Sequence, residues 1–134
     1  MTYLRSIERI GKVYRMKLSE YGIRTVEDLL DQCADPTQRK QFSERTAISE
    51  EKLLDWVHKA DLFRLKGLSS QYTELLDAAG VKSMVHLAQA DPGKLVEKMR
   101  SANFELKLVR QIPGPKQVAQ FVEQAQQTTP MVKE

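Results

Sequence analysis

Apolar residues recur along most of the chain at the three- and four-residue spacing that places them on one face of an α-helix. Tyr14, Leu18 and Tyr21 follow this spacing near the start of the sequence, and residues 118–125 follow it near the end. Sustained alternation of β-branched and polar residues, the usual sign of a strand, is nearly absent. The pattern therefore predicts an all-α protein.

Residues that begin and end helices divide this pattern into short segments. Thr25 lies three residues before Asp28, which predicts a capping box at a helix start. The pairs Asp35-Pro36 and Asp91-Pro92 have the form of an N-cap followed by proline in the first turn. Glycines after helical runs predict helix ends, and we expect about ten short helices with tight connections.

The sequence contains an imperfect internal repeat. Residues 7–29, IERIGKVYRMKLSEYGIRTVEDL, align with residues 65–87, LKGLSSQYTELLDAAGVKSMVHL, at a constant offset of 58, and eight apolar, tyrosine or glycine positions agree. Agreement at a single offset favours a duplicated supersecondary unit. We expect two such units of short helices, residues 1–63 and 64–127, packed into one compact body, with a flexible tail at residues 128–134.

Four aromatic residues of the repeat are expected to pack in its core. Trp56 and Phe121 fall on the apolar faces of matching segments and are bulky enough to anchor a core. Tyr14 and Tyr72 occupy matched positions, each four residues before a leucine on the same helix face. This placement favours packing over the stacking of these two rings on bases.

Each copy of the repeat begins with a short glycine-containing turn between two helical runs. The first copy reads IERIGK and contains Gly11, and the second reads LKGLSS and contains Gly67. These turns resemble the helix-hairpin-helix motif, whose typical core is apolar-x-Gly-apolar-Gly. Each copy departs from that core at one glycine position, where Arg9 stands in the first copy and Ser69 in the second.

Across residues 5–127, the order of segments resembles the DUF4332 family, an uncharacterised bacterial family of tandem helix-hairpin-helix proteins. The resemblance implies the tandem architecture and supplies no proven activity. It also implies DNA binding without sequence preference, because helix-hairpin-helix proteins commonly hold the phosphate backbone, often across the minor groove.

The first hairpin has the chemistry of a phosphate site. Glycine permits a turn with positive φ and leaves room for close approach, and the first turn of a helix has unpaired N–H groups at the positive end of its dipole. The candidate donors are the N–H groups of Gly11, Lys12 and Val13, while Arg9, Lys12 and Arg15 add charge. We expect this hairpin to be the principal DNA contact.

The second hairpin offers a weaker version of the same site. Its candidate donors are the N–H groups of Ser69, Ser70 and Gln71, which follow Gly67, and Lys66 supplies the charge. The hydroxyl groups of Ser69 and Ser70 are suited either to donating to a phosphate or to capping the helix that follows. Both interpretations stay open at this point.

The net charge of +3 and the pI of about 9.0 permit a polyanionic partner without requiring one. The charge is uneven, because residues 5–17 contain five basic residues against Glu8 alone. A second set of basic residues either extends the binding surface or belongs to solvated helix faces, and it comprises Lys94, Lys98, Arg100, Lys107, Arg110 and Lys116.

The sequence lacks the residues that are typical of several other classes of protein. It has no Gly-rich P-loop, paired catalytic carboxylates or Ser/His/Asp arrangement, so we expect no enzyme and no cofactor. His58 and His86 have no spaced partner ligands and Cys33 is the single cysteine, so we expect no metal and a buried or neutral thiol. With no membrane span or signal peptide in the pattern, we expect a cytoplasmic protein.

Two further interpretations compete with DNA binding by this chain alone. The protein is alternatively a protein-interaction or scaffold module whose hairpins are structural corners. That alternative places function on an exposed apolar patch near Phe63, Leu65 and Leu68, or on a homodimer face. A third interpretation is a helper subunit that grips nucleic acid for another chain's chemistry.

Overall fold

The computed structural model describes residues 2–134, and at Glu8 it describes the backbone alone. This part of the chain folds into eight α-helices and two short 3-10 helices, without a β-strand. The 3-10 helices are Leu4–Ser6 and Glu8–Ile10. The α-helices are α1 (Gly11–Glu20), α2 (Val26–Cys33), α3 (Pro36–Thr46), α4 (Glu50–Leu62), α5 (Ser70–Ala78), α6 (Met84–Ala88), α7 (Pro92–Leu106) and α8 (Pro115–Gln127). The prediction of an all-α protein is confirmed.

Side-chain caps fix the helix starts that the sequence predicts. At the start of α2, the Asp28 N–H donates to the Thr25 hydroxyl oxygen and the Thr25 N–H donates to the Asp28 carboxylate, which completes the capping box. The Arg24 N–H donates to the same carboxylate, and this hydrogen bond is the main cause that lowers the pKa of Asp28. Asp35 and Asp91 cap α3 and α7, each with proline in the first turn.

The chain divides into two units. The first contains Met1–Asp61 and Pro130–Glu134, and the second contains Leu62–Thr129. The borders expected from the repeat lie after residues 63 and 127. The duplication, and the assignment of both hairpins to the helix-hairpin-helix motif, stay predictions.

The core of the first unit contains Trp56 of α4. Trp56 is buried, and Tyr14 of α1 packs edge-on against it with 5.2 Å between the ring centroids. Phe42 of α3 is also buried, and Tyr21 packs against it at 5.8 Å in the same manner. The packing roles predicted for Trp56 and Tyr14 are confirmed.

Phe121 of α8 is the central aromatic residue of the second unit. Phe121 is buried, and the ring of Tyr72 packs edge-on against it at 6.3 Å. Leu65 and Leu68 are buried in the same cluster, and Phe63 is half-buried. The prediction of an exposed apolar patch near these three residues is therefore wrong, because both leucines turn inward and fill the core.

The last residues of the chain lie against α2 and α3. The Lys133 N–H donates to the Ala34 carbonyl at 2.9 Å. The buried guanidinium of Arg39 donates to the carbonyls of Cys33, Ala34 and Lys133. Residues 130–134 therefore belong to the first unit, and no local pattern in the sequence predicts these hydrogen bonds.

Candidate nucleic-acid interface

The first hairpin joins the 3-10 helix Glu8–Ile10 to α1 through Gly11. Gly11 has a φ of +61°, which residues with side chains rarely adopt. Ile7 and Ile10 are buried and attach the turn to the core of the first unit. A Cβ atom at Gly11 would meet nothing within 4 Å, so the backbone conformation requires glycine here and crowding does not. The outer side of the turn is open to a ligand.

The residues around Gly11 carry the charge that the sequence predicts for a phosphate site. Arg9 and Lys12 are exposed, and Arg15 is half-buried. Val13 is 79% exposed on the first turn of α1. That turn contains no acidic residue, so its own side chains leave the positive end of the helix dipole unneutralised. The five residues predicted for the first hairpin therefore lie together on one turn and the start of one helix.

Three arginines line a neighbouring cleft that sequence reasoning missed. The cleft has a volume of about 310 Å³, and Arg5, Arg15 and Arg24 line it together with Tyr3. The Leu4 N–H donates to the Arg24 carbonyl at 3.3 Å, which brings the connection after α1 back to the first residues. Arg5 belongs to the basic run at residues 5–17. No nearby residue in the sequence predicts that Arg24 lines this cleft, because only the return of the chain brings it there.

The second hairpin turns at Gly67, which has a φ of +83°. Lys66, the residue before Gly67, is hydrogen-bonded through its backbone to the side chain of Gln124 on α8. The Lys66 N–H donates to the Gln124 Oε1 at 3.0 Å, and the Lys66 carbonyl accepts from Nε2 at 3.2 Å. Lys66 itself is exposed. These hydrogen bonds hold the turn firmly to α8.

The two serines after Gly67 have different surroundings. Ser69 is the N-cap of α5, and its hydroxyl oxygen accepts from the Tyr72 N–H at 3.2 Å. The Ser70 hydroxyl is buried and has no hydrogen-bond partner within the described residues. A buried hydroxyl does not reach a phosphate outside the protein, so Ser70 contributes at most its N–H group. Capping is the role that the structure gives to Ser69.

The second set of basic residues is spread over different surfaces. Arg100 forms an exposed ion pair with Glu97 at 2.6 Å on α7. Lys94 and Lys98 line a cleft with Asp91 and other residues. Lys107 and Arg110 line another cleft, which also contains Ser69. Lys107 and Arg110 therefore lie near a predicted hairpin residue.

Cys33 and His58 show no sign of reactive chemistry. Cys33 is buried, as one of the two alternatives predicted from the sequence has it, and burial raises the pKa of its thiol to about 11. Burial also lowers the pKa of His58, although Glu134 lies 3.7 Å from its Nε2 atom. Within residues 2–134, no three His, Cys, Asp or Glu side chains described here could hold a metal ion.

The raised pKa of Cys33 predicts slow reaction with thiol reagents. At about pH 8 we expect a thiolate fraction near one in a thousand in the folded protein and at least about a tenth after unfolding, because the unfolded thiol returns to its ordinary pKa. Labelling with a disulfide reagent should therefore be far faster in urea than in buffer. Glutathione in the same solutions serves as the control, and equal labelling rates for folded and unfolded protein would contradict the burial of this thiol.

None of the helices described for residues 2–134 combines the length and the apolar character needed to cross a membrane.

The described residues define a class of protein: a small all-α protein in which the glycines of both predicted hairpins, Gly11 and Gly67, have positive φ and lie close to the start of a helix. Residues 8–128 match the family described as Domain of unknown function (DUF4332). The match covers most of the chain, so the protein belongs to the DUF4332 family, and the resemblance seen in the sequence is confirmed. Neither the curated proteins nor the solved structures include a match to this chain.

Proposed function

We propose that this protein binds DNA without catalysing a reaction and without reading its sequence. Phosphate groups of the backbone would be held by the N–H groups of Gly11, Lys12 and Val13, with Arg9 and Arg15 supplying further charge. The proposal includes a reducing, cytoplasmic setting, in which a lone cysteine remains a thiol.

A single observation carries the proposal: a positive-φ glycine begins a helix whose first turn has no acidic residue. The N–H groups of such a turn have no partner within the helix, and they favour an anion at the positive end of the dipole. Lys12 is exposed at that turn, and the open side of Gly11 allows a phosphate to approach the backbone closely. The combination suits one phosphate oxygen rather than a base edge.

The cleft lined by Arg5, Arg15 and Arg24 supports the same proposal, because it lies next to the first hairpin. Arg15 lines this cleft and also belongs to the first hairpin, so the two sites share one side chain. Guanidinium groups bind phosphates through two parallel hydrogen bonds. Arg5 and Arg24 would therefore hold a second phosphate of the same strand, while Lys66 and Gly67 would provide a weaker contact at the second hairpin.

The proposal predicts salt-sensitive binding that depends on the first hairpin. In fluorescence anisotropy with labelled duplex DNA, we expect Arg9→Glu/Lys12→Glu to weaken binding at least about tenfold at about 50 mM salt, because two phosphate contacts become repulsive. The wild-type affinity should fall steeply as salt is raised, and two duplexes of unrelated sequence should bind equally.

A matched control separates this site from general charge. Lys40→Glu/Lys116→Glu changes the net charge by the same amount at two exposed lysines outside both hairpins. We expect this control to weaken binding by less than about threefold. Circular dichroism checks that both variants keep their helices. An equal loss of DNA affinity in the two double variants, or wild-type affinity that does not depend on salt concentration, would remove the first hairpin from the proposal.

The alternative is a protein-interaction module, and one observation favours it. Val13 and Met16 are 79% and 60% exposed, and their spacing places them on one face of α1. Exposed apolar pairs of this kind occur at protein interfaces. If wild-type protein binds no DNA at low salt, and if Met16→Glu abolishes self-association in sedimentation, the hairpins are structural corners and this face is the functional one.

A further inference from the structure

The second unit contains an open cleft that the proposed DNA contact does not use. It has a volume of about 1150 Å³ and lies between the start of α5 and the end of α7 with the loop that follows. Its lining includes aromatic, amide and basic side chains, among them Tyr72, Asn103, Phe104, Lys107 and Arg110. We infer that this cleft is a binding site for single-stranded nucleic acid. The inference deepens the proposed function and rests on it.

The loop that forms one wall of the cleft is held in a fixed shape. The Asn103 side chain pairs with both backbone groups of Val109: its Nδ2 donates to the Val109 carbonyl, and its Oδ1 accepts from the Val109 N–H, each at 3.0 Å. Lys107 ends α7 with a φ of +52°, and its N–H donates to the Asn103 carbonyl at 2.8 Å. A wall that is ordered before a ligand arrives lowers the entropy that binding costs.

Phe104 lies at this cleft with almost its whole side chain in solvent. It is 83% exposed, whereas Leu95, Val96 and Met99 of the same helix are buried. An exposed aromatic ring next to cationic groups is the arrangement on which single-stranded bases stack. Tyr72 also lines the cleft, but its ring is engaged with Phe121, so Phe104 is the stacking residue of this inference.

The charges of the cleft suit a phosphate backbone. Lys107 and Arg110 are exposed, and no acidic side chain is among the described residues that line the cleft. The nearby Glu105 lines a different cleft with Glu97 and Lys98. The opposite wall contains Ser69 and Gln71 at the start of α5, a helix without an acidic residue in its first turn. Phosphates beside a stacked base would therefore meet cationic side chains on one wall and the positive end of the α5 dipole on the other.

A single strand fits this arrangement better than a duplex does. In a duplex, the faces of the bases are covered by their neighbours, so a ring such as that of Phe104 has no base face to contact. A single strand exposes those faces and bends enough to place a base on the ring and the adjoining phosphates on Lys107 and Arg110. The cleft is therefore assigned to single-stranded nucleic acid. The first hairpin, by contrast, does not require a single strand.

Helix α7 and the connection after it are longer than α3 and its connection, and residues of this longer segment line the cleft. Helix α3 has 11 residues and is followed by residues 47–49, whereas α7 has 15 residues and is followed by residues 107–114. Phe104 lies on the last turn of α7, and Lys107 and Arg110 lie on the longer connection. The added length supplies the aromatic ring and both charges.

The test compares two probes on the intact protein by fluorescence anisotropy: a labelled oligothymidylate of about 15 nucleotides and a blunt duplex of the same length. We expect Phe104→Ala to weaken single-strand binding about tenfold and to leave duplex binding within about twofold. Phe104→Trp keeps a stacking surface and should keep single-strand affinity. Val85→Ala, which removes another exposed apolar side chain of the second unit, is the matched control.

The outcomes separate this inference from the proposed function. Phe104→Ala that binds both probes like wild type, or wild-type protein that binds the duplex and not the single strand, would overturn the inference and leave the first hairpin standing. Loss of single-strand binding in Phe104→Ala, combined with unchanged duplex binding in Arg9→Glu/Lys12→Glu, would support the cleft and overturn the first hairpin. Wild-type protein that binds neither probe would overturn both, and Phe104 would then be assigned to a protein partner.

Discussion

Phe121→Ala is expected to lower the free energy of unfolding by about 3–5 kcal/mol, the cost of emptying a large buried aromatic site. Phe121 is almost completely buried in the second unit, and its ring contacts Tyr72. A Cβ atom built on Gly67 would lie 3.7 Å from its Cε1 atom, so the ring also lies beneath the second hairpin. Truncation therefore leaves a cavity under the turn that carries Lys66. Urea denaturation followed by circular dichroism measures the change.

A second phenylalanine provides the matched control for this prediction. Phe104 is the same residue type in the same unit, but its ring is exposed, and Phe104→Ala should change the unfolding free energy by no more than about 0.5 kcal/mol. The pair therefore separates a ring that holds the fold from a ring that is free for a ligand. Equal destabilisation by the two substitutions would contradict the burial of Phe121.

Arg39→Met is expected to lower the free energy of unfolding by about 2–4 kcal/mol. The guanidinium of Arg39 is buried, and it donates to the Cys33 carbonyl at 3.0 Å, to the Ala34 carbonyl at 2.8 Å and to the Lys133 carbonyl. Methionine keeps much of the volume but donates nothing, so buried carbonyls at the end of α2 lose a charged donor. Cys33 and Ala34 lie at the negative end of that helix, which makes the loss larger.

The same substitution should also loosen the end of the chain. Since Arg39 binds the Lys133 carbonyl, we expect faster amide hydrogen exchange in residues 130–134 of Arg39→Met than in wild type. Lys40→Met changes the next residue of the same helix, which is exposed. It should leave the free energy of unfolding and the amide exchange of residues 130–134 nearly unchanged. If Lys40→Met and Arg39→Met behave alike, the buried guanidinium does not organise this part of the first unit.

The two proposed nucleic-acid sites differ in their chemical features. The first hairpin would hold a phosphate of any strand through backbone N–H groups and charge. The cleft beside the second hairpin would add an exposed ring on which an unstacked base could stack. The net charge of +3 is modest, so each proposed site alone should bind weakly.

Local features of the fold were predictable because they depend on neighbouring residues. The Thr25–Asp28 capping box, the proline starts of α3 and α7 and the positive φ of the turn glycines all follow from side-chain chemistry within a few positions. The burial of Trp56 and Phe121 followed from helical spacing. The first hairpin was found for the same reason, because its glycine and its cations are adjacent in the chain.

Features that depend on distant parts of the chain were not predictable in this way. Arg24 joins Arg5 and Arg15 only because the chain returns after α1. Leu65 and Leu68 were placed on an exposed patch, because a short apolar segment looks the same whether it faces a core or solvent. The docking of Lys133 against Arg39 joins residues that are far apart in sequence.

The sequence by itself determined the helical class, the capped starts of α2, α3 and α7, the glycine turns and the charge of the first hairpin, since all of these arise from local propensity, capping and spacing. Only the tertiary structure decided which cations share a cleft, that Ser70 is turned inward, that Phe104 remains in solvent beside Lys107 and Arg110, and that the last residues lie against α2. The physical reason is that burial and convergence are properties of packing between segments, and periodicity within one segment does not specify what covers its faces.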